Sequence, residues 1–415
     1  MDSWPAKNTT SSPVWVAAIS PVSCYNQDKQ IERYIDYENQ GAELIVTGEI
    51  AADWSKKRIE GPIIRFNGKY SATDDLEAIA CFGPPEANFL PAIQGVKLVK
   101  ALKTKCRKSI IANVGDTGAS HEDRMHLISA LSDVGVDGFE IALSCPNIQH
   151  GEVNTTIKWF ENSMRFIEEI RSQTNLPVGI KLGTKHFSLG EEYLIQQFRD
   201  AGISQITAID ATLTMCPPNI VGNLLKEPFS QFPALSFVGM SGPWCHYLLY
   251  GHIARLRTAL NKMNIKDISL SAAGGIFSVE NAIELLVLGA DSIQLCSLVL
   301  YRGYQVIGDI ISGVKDWIST QEQTTHDSTF KHYSFVSEGL KDIYGENYTE
   351  TWMAKRPVSR TNLNNCNNCG ICTETPCLAR EKKQYAPKII DGLCSGCGWC
   401  VHVCPNRAIA MEARN

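Results

Sequence analysis

At 415 residues the chain has room for one large domain and a small appended module, and 44% hydrophobic with 20% charged residues describes an ordinary globular composition. A formal net charge of −5 supplies no basic field to recruit nucleic acid, so no nucleic-acid partner is expected. The opening MDSWPAKNTTSSP has neither the charged nor the apolar region of a signal peptide, and no run of about 18 apolar residues predicts a membrane span; the 15 cysteines imply a reducing cytoplasm.

From Val14 onward, short apolar β-rich runs alternate with stretches of helical period. Eight strands are predicted, at Val14–Ala18, Leu44–Thr47, Ser109–Val114, Gly138–Leu143, Val178–Leu182, Gln205–Ile209, Ile268–Ala272 and Ser292–Leu295. The segments between them, such as KQIERYIDYENQG and EDRMHLISALSDVG, predict helices, several closed by Gly. Strands read as apolar on both faces and separated by helices predict a parallel sheet with helices outside it. Eight such units predict an α/β fold, a (β/α)8 TIM barrel over residues 1–319. The glycine-rich phosphate turn of an open dinucleotide-binding sheet is absent after the first strand, where AAISPVSC stands.

Two connections, 48–108 and 210–267, are too long for plain loops. Both leave the C-terminal ends of strands, where a barrel builds its site, so they are expected to form walls or lids. The helix QVIGDIISGVKDWIST closes the barrel, residues 320–364 form a linker with a short helix, and 365–415 form a cysteine-rich module. No internal repeat is apparent.

The strand ends carry the candidate chemistry. Strand seven runs into Gly274-Gly275 and strand eight into Cys296-Ser297, with Gly242 in a tight turn between strands six and seven. Glycine pairs let backbone N–H groups approach a phosphate closely, so a phosphate site is expected there. Lys181 sits in an otherwise apolar strand, either solvated at its end or placed as a cation beside a flavin ring, which Asn113 would also reach. Strand four ends in Ser144-Cys145-Pro146-Asn147. Cys145 there reads as a general acid/base or, equally, as a packing cysteine before a turn.

Of 15 cysteines, eight fall in two runs near the C-terminus. Cys394, Cys397, Cys400 and Cys404, followed by Pro405, have the spacing of a ferredoxin [4Fe–4S] run. Cys366, Cys369, Cys372 and Cys377 repeat it with one extra residue before the last. Zinc sites offer pairs rather than triplets of cysteines, and a disulfide framework needs an oxidising compartment. Two [4Fe–4S] clusters in a small ferredoxin-like domain are therefore expected. The fourth cysteine of each run would serve the other cluster, which groups Cys404 with the first run and Cys377 with the second.

Taken in order, AAISP, ALSCPN, GIKLG, GMSGP, AAGGI and QLCS resemble the FMN-dependent dihydroorotate dehydrogenases over residues 13–318. With the cluster tail, the layout is similar to the flavin and iron–sulfur portion of dihydropyrimidine dehydrogenases. The resemblance implies FMN at the top of the barrel, held by Ala18, Ser20, Thr47, Asn113, Lys181, Gly242, Gly274, Gly275, Cys296 and Ser297. It implies Cys145 as general acid/base and Asn147 as a substrate ligand. Family asparagines that read a pyrimidine are replaced by Ala80, Glu86, Ala142 and Asp210, and a family lysine is missing at Thr47-Gly48-Glu49. Glu86 and Asp210 thus predict a substrate with more donor groups than orotate or uracil, or with a positive charge.

The expected activity is hydride exchange between FMN and the C=C bond of a small, cyclic unsaturated compound. Electrons would pass through two clusters to or from a partner, an NAD(P)H-oxidising flavoprotein subunit or a ferredoxin, within an oligomer. The rival readings are a dihydropyrimidine or dihydroorotate dehydrogenase proper and a non-catalytic electron-transfer scaffold.

Overall fold

The computed structural model describes residues 4–5, 12–19, 26–55, 57, 64–66, 80–83, 89–115, 119–143, 156–214, 238–324, 354, 356–375 and 377–414. The chain divides into two units, Met1–Val336 and Ser337–Asn415.

In the first unit the eight predicted strands form β1 (Val14–Val16), β2 (Leu44–Val46), β3 (Ser109–Gly115), β4 (Gly138–Ala142), β5 (Val178–Leu182), β6 (Gln205–Ala208), β7 (Ser269–Ala273) and β8 (Ser292–Leu295). They pair in parallel in the order β2-β1-β8-β7-β6-β5-β4-β3, and β3 pairs back onto β2, which closes the barrel. Around it lie α1 (Gln27–Asn39), α2 (Ala92–Lys105), α3 (His121–Asp133), α4 (Thr156–Gln173), α5 (Glu191–Asp200), α6 (Cys245–Lys262) and α7 (Val279–Val287). A short helix, α8 (Ser297–Arg302), and the closing helix α9 (Gln305–Thr324) complete the ring. Local chemistry starts several helices: the Asn26, Ser120 and Ser278 side chains accept the N–H groups of Lys29, Asp123 and Asn281 at 3.0, 3.1 and 3.2 Å.

The strands are not apolar on both faces, as expected, but alternate. In β4, Phe139 and Ile141 join the core beneath the helices, while Glu140 between them bonds residues of β3, β6 and β8. Strands four and eight are not neighbours, so those bonds cross the barrel interior. Polar residues inside hydrogen-bond one another, although the amide oxygens of Gln205 and Gln294 are buried without a partner among the described residues. Ser292 likewise donates to Ser271 at 2.9 Å. Below this layer Trp4, Trp15, Leu44, Val46 and Ile111 form a separate apolar plug. A Cβ on Gly179 would lie 2.9 Å from the Trp4 ring, so the glycine makes room for the indole.

The two long connections do more than wall the mouth separately. Strands Thr212–Thr214 and Val238–Ser241 from one, and Ala80–Gly83 and Ile64–Phe66 from the other, form a single four-stranded antiparallel sheet. Ser241 stands opposite Cys81 and Gly239 opposite Gly83, which ties the segment after β6 to the segment after β2.

In the second unit, strand Val358–Thr361, which precedes the expected module boundary at 365, pairs with Ile409–Glu412, and Arg380–Glu381 pairs with Lys388–Ile389. An internal repeat emerges here that only the cysteine spacing hinted at. Asn368 and Gly370 take positive φ of 52° and 81° in the first cysteine run, as Gly396 and Gly398 do at 79° and 74° in the second. Asn362 N–H donates to Ala408 O at 2.7 Å, and Ile390 N–H donates to Ala379 O at 2.8 Å, at matching places before and after each run.

The turn after β5 carries an acid-labile element. His186 is fully buried, and its Nδ1 accepts the Gly183 N–H at 2.9 Å. Burial, reinforced by Lys185, pushes its pKa down to about 3. The unfolded chain binds a proton below pH ~6.5 that the folded chain refuses, so stability is present above that pH and is lost as pH falls toward 3. The expected slope is about 1.4 kcal/mol per pH unit from this group. His186→Asn, which offers an acceptor in the same place without a proton to gain, should flatten the fall in urea midpoint between pH 7 and pH 5. An unchanged pH dependence in the variant would refute the assignment.

Candidate flavin and iron–sulfur sites

At the C-terminal end of the barrel, Lys181 of β5 is only 6% exposed, and its Nζ lies 3.4 Å from Asp210 Oδ1. Burial acts to discharge it, but the Asp210 and Glu140 carboxylates and Cys296 outweigh that effect and hold the ammonium well above the ordinary lysine range. Lys181 is therefore a buried, retained cation and not the solvated strand end that was the alternative.

Glu140 was not singled out from the sequence, although a carboxylate in the strand GFEIA stands out as Lys181 does in VGIKL. It is fully buried and accepts from Asn113 Nδ2 at 2.9 Å, Thr207 Oγ1 at 2.9 Å and Gln294 Nε2 at 3.2 Å. Gln294 Nε2 also donates to Thr207 Oγ1 at 3.0 Å. One amide hydrogen of Asn113 is thereby committed to Glu140, which orients the side chain at the end of β3. The Asn113 backbone N–H in turn donates to the buried Thr47 hydroxyl at 3.1 Å. Asp210, read as a substrate ligand, directs Oδ1 at Lys181 and accepts the Ala211 N–H at 2.8 Å.

Gly274 and Gly275 follow β7 with φ of 116° and 69°. A Cβ on Gly275 would run into the backbone of His246 in the first turn of α6. The glycine turn is thus packed onto a helix N-terminus, whose dipole suits a phosphate. Gly242, with φ of 122°, precedes that helix, and Ser297 is buried at the start of α8 next to Cys296. Ala18 packs on the plug at the end of β1. The donor set fits an FMN: a phosphate turn, a buried cation and an oriented amide lie toward the C-terminal ends of the alternate strands β7, β5 and β3. Ser20, Glu86, Cys145 and Asn147 lie outside the described residues.

In the second unit Cys366, Cys369, Cys372 and Cys404 line one cavity with Gly370 and Pro405, so the first run is completed by the last cysteine of the second. Cys394 packs with Val358, Ala379 and Cys377, which joins the second run to the last cysteine of the first. Cys400 is buried beside Cys372 and Ile409, while Cys397 is exposed. No disulfide forms among the described cysteines. Nor, among the described residues, do any three His, Cys, Asp or Glu side chains sit close enough to share one ion. Three cysteines of one C-x2-C-x2-C run completed by a cysteine of the other suit a [4Fe–4S] cluster.

Residues 93–318 match the dihydroorotate dehydrogenase family, and residues 387–410 match the 4Fe-4S binding domain. The chain is 22% identical over 312 residues to the NAD-dependent dihydropyrimidine dehydrogenase subunit PreA of Escherichia coli, covering 73% of this chain and 72% of that one. It is 25% identical over 293 residues to the catalytic subunit of dihydroorotate dehydrogenase B (NAD(+)) of Thermococcus kodakarensis, with 70% and 86% covered. The corresponding subunit of Pyrococcus abyssi is 27% identical over 206 residues, with 49% and 62% covered.

Proposed function

The chain belongs to the dihydroorotate dehydrogenase family, and on that footing we propose that it is an iron–sulfur flavoprotein oxidoreductase that reduces or forms a C=C bond in a small cyclic compound. The observation that carries this reading is the retained Lys181 cation, buried with Asp210 and with Glu140, which also holds Asn113. When bound, FMN supplies hydride exchange at carbon, and each [4Fe–4S] cluster supplies one-electron transfer.

The chain's own residues prepare that chemistry. Lys181 stabilises negative charge that develops on a ring beside it, and Asn113 is held ready to hydrogen-bond the same ring. Gly274-Gly275, Gly242 and Ser297 hold the phosphate, with Thr47, Ala18, Ser20 and Cys296 about the rest of the cofactor. Cys145 gives or takes the proton at the neighbouring substrate carbon, and Asn147 binds the substrate. Cys366, Cys369, Cys372 and Cys404 hold one cluster, and Cys377, Cys394, Cys397 and Cys400 the other.

Asp210 answers Lys181, so it is less available to substrate than the sequence implies, and the preference for a donor-rich ligand rests on Glu86. A pyrimidine therefore remains the second reading, favoured by the ion pair itself and by the dihydropyrimidine dehydrogenase relative. No G-x-G-x-x-G follows any barrel strand. We assign NAD(P)H oxidation to a separate flavoprotein subunit, or electron supply to a ferredoxin, in an oligomeric complex. Among the described residues no helix is long and apolar enough to cross a membrane.

Anaerobic purification with FMN, iron and sulfide quantitation tests the reading. About one FMN and about eight irons per chain are expected, on the two-cluster count. Turnover of cyclic enones or enamides with reduced viologen, uracil and orotate being included, then identifies the substrate. Iron without FMN would leave the barrel a scaffold and defeat the proposal.

A further inference from the structure

The repeat in the second unit is broken at one buried position. Thr361 stands opposite Ile409 across one strand pair, and Ile389 stands opposite Arg380 across the other. Asn362 and Ile390, the next residues, make the matching backbone bonds to Ala408 and Ala379. Arg380 therefore occupies the place that Ile409 holds in the other half. Ile409 is buried and packs on Cys372 and Cys400, as an aliphatic side chain between thiolates should.

Arg380 is equally buried, at 5% exposure, but it brings a permanent charge. Its Nη1 donates to Cys372 Sγ at 3.7 Å and to Thr361 Oγ1 at 3.1 Å, and its Nη2 donates to Ser359 Oγ at 3.1 Å. The two hydroxyls fix the guanidinium against one sulfur of the Cys366, Cys369, Cys372 and Cys404 set. The other buried arginine of the unit, Arg356, donates instead to the backbone carbonyls of Cys394 and Gly392. It braces the second run, and its charge also favours the Cys394 thiolate.

We infer that Arg380 is a tuning residue that raises the reduction potential of the cluster held by Cys366, Cys369, Cys372 and Cys404. A cluster that accepts one electron gains negative charge spread over its sulfurs. A cationic N–H donor on one of those sulfurs stabilises the reduced form more than the oxidised form. The inference rests on the two-cluster reading.

The test is an EPR-monitored dithionite titration of the complete, anaerobically purified protein, with iron counted first. The wild type should contain about eight irons and show two one-electron cluster steps. About four irons would defeat the two-cluster reading itself, and the inference with it. In Arg380→Ile, which copies the residue at the symmetric place, the iron count should stay and one step should move to lower potential while the other stays. Arg380→Lys, which keeps the charge but not the fork, should move the same step by less. If neither step moves, or both move equally, the inference is overturned. Loss of a cluster from both variants also overturns it, since Arg380 would then be holding the fold rather than setting a potential.

Discussion

Cys145→Ala is expected to lower turnover by about 10²- to 10⁴-fold, the usual contribution of a positioned general acid or base, with FMN and iron content unchanged. β4 ends at Ala142, which stands opposite Lys181 of β5 on one side and Gly115 of β3 on the other. Cys145 lies three places further along the chain, outside the described residues. Cys145→Ser, a weaker acid of similar size, should retain more turnover than the alanine variant. Near-normal rates in Cys145→Ala with a saturating substrate would remove the thiol from the mechanism and return it to packing.

The second large effect is at Glu140. Glu140→Leu should destabilise the first unit by about 3–5 kcal/mol, because one partner of a buried charge cluster is removed while the others remain. Lys181 would lose one of its two carboxylates, and Asn113, Thr207 and Gln294 would each lose an acceptor. Glu140→Gln keeps the shape and one acceptor oxygen, so a smaller loss of about 1–3 kcal/mol is expected. Urea unfolding followed by far-UV circular dichroism measures both. The leucine variant should also retain less FMN, since Asn113 is no longer oriented. Equal stability of leucine and wild type would show that the network is not a structural necessity.

Much of this protein is legible in the chain order. The β/α alternation announces the barrel because each strand and helix is specified over a few residues, by local period and by caps such as Asn26 and Ser120. The cysteine runs announce iron–sulfur chemistry because thiolate spacing is itself the constraint that the cluster imposes. Gly274-Gly275 and Lys181 are legible as departures from what a barrel strand end otherwise requires.

The limits of that legibility are equally physical. Glu140 looked like one charge in an apolar strand until barrel closure brought β4, β6 and β8 around a common interior. Asp210 looked like a substrate ligand because nothing local reveals that its carboxylate lies within 3.4 Å of Lys181. The insertions after β2 and β6 read as two separate walls, and only long-range strand pairing makes them one sheet. By itself, then, the sequence determined the barrel, the cluster module and the class of chemistry, because periodicity and ligand spacing are local. Only the tertiary structure decided which carboxylates balance Lys181 and that Arg380, rather than an aliphatic residue, meets Cys372. The carboxylates that balance Lys181 come from other strands, Arg380 reaches back to Cys372 eight residues earlier, and the energies of both exist only once folding has removed the water between them.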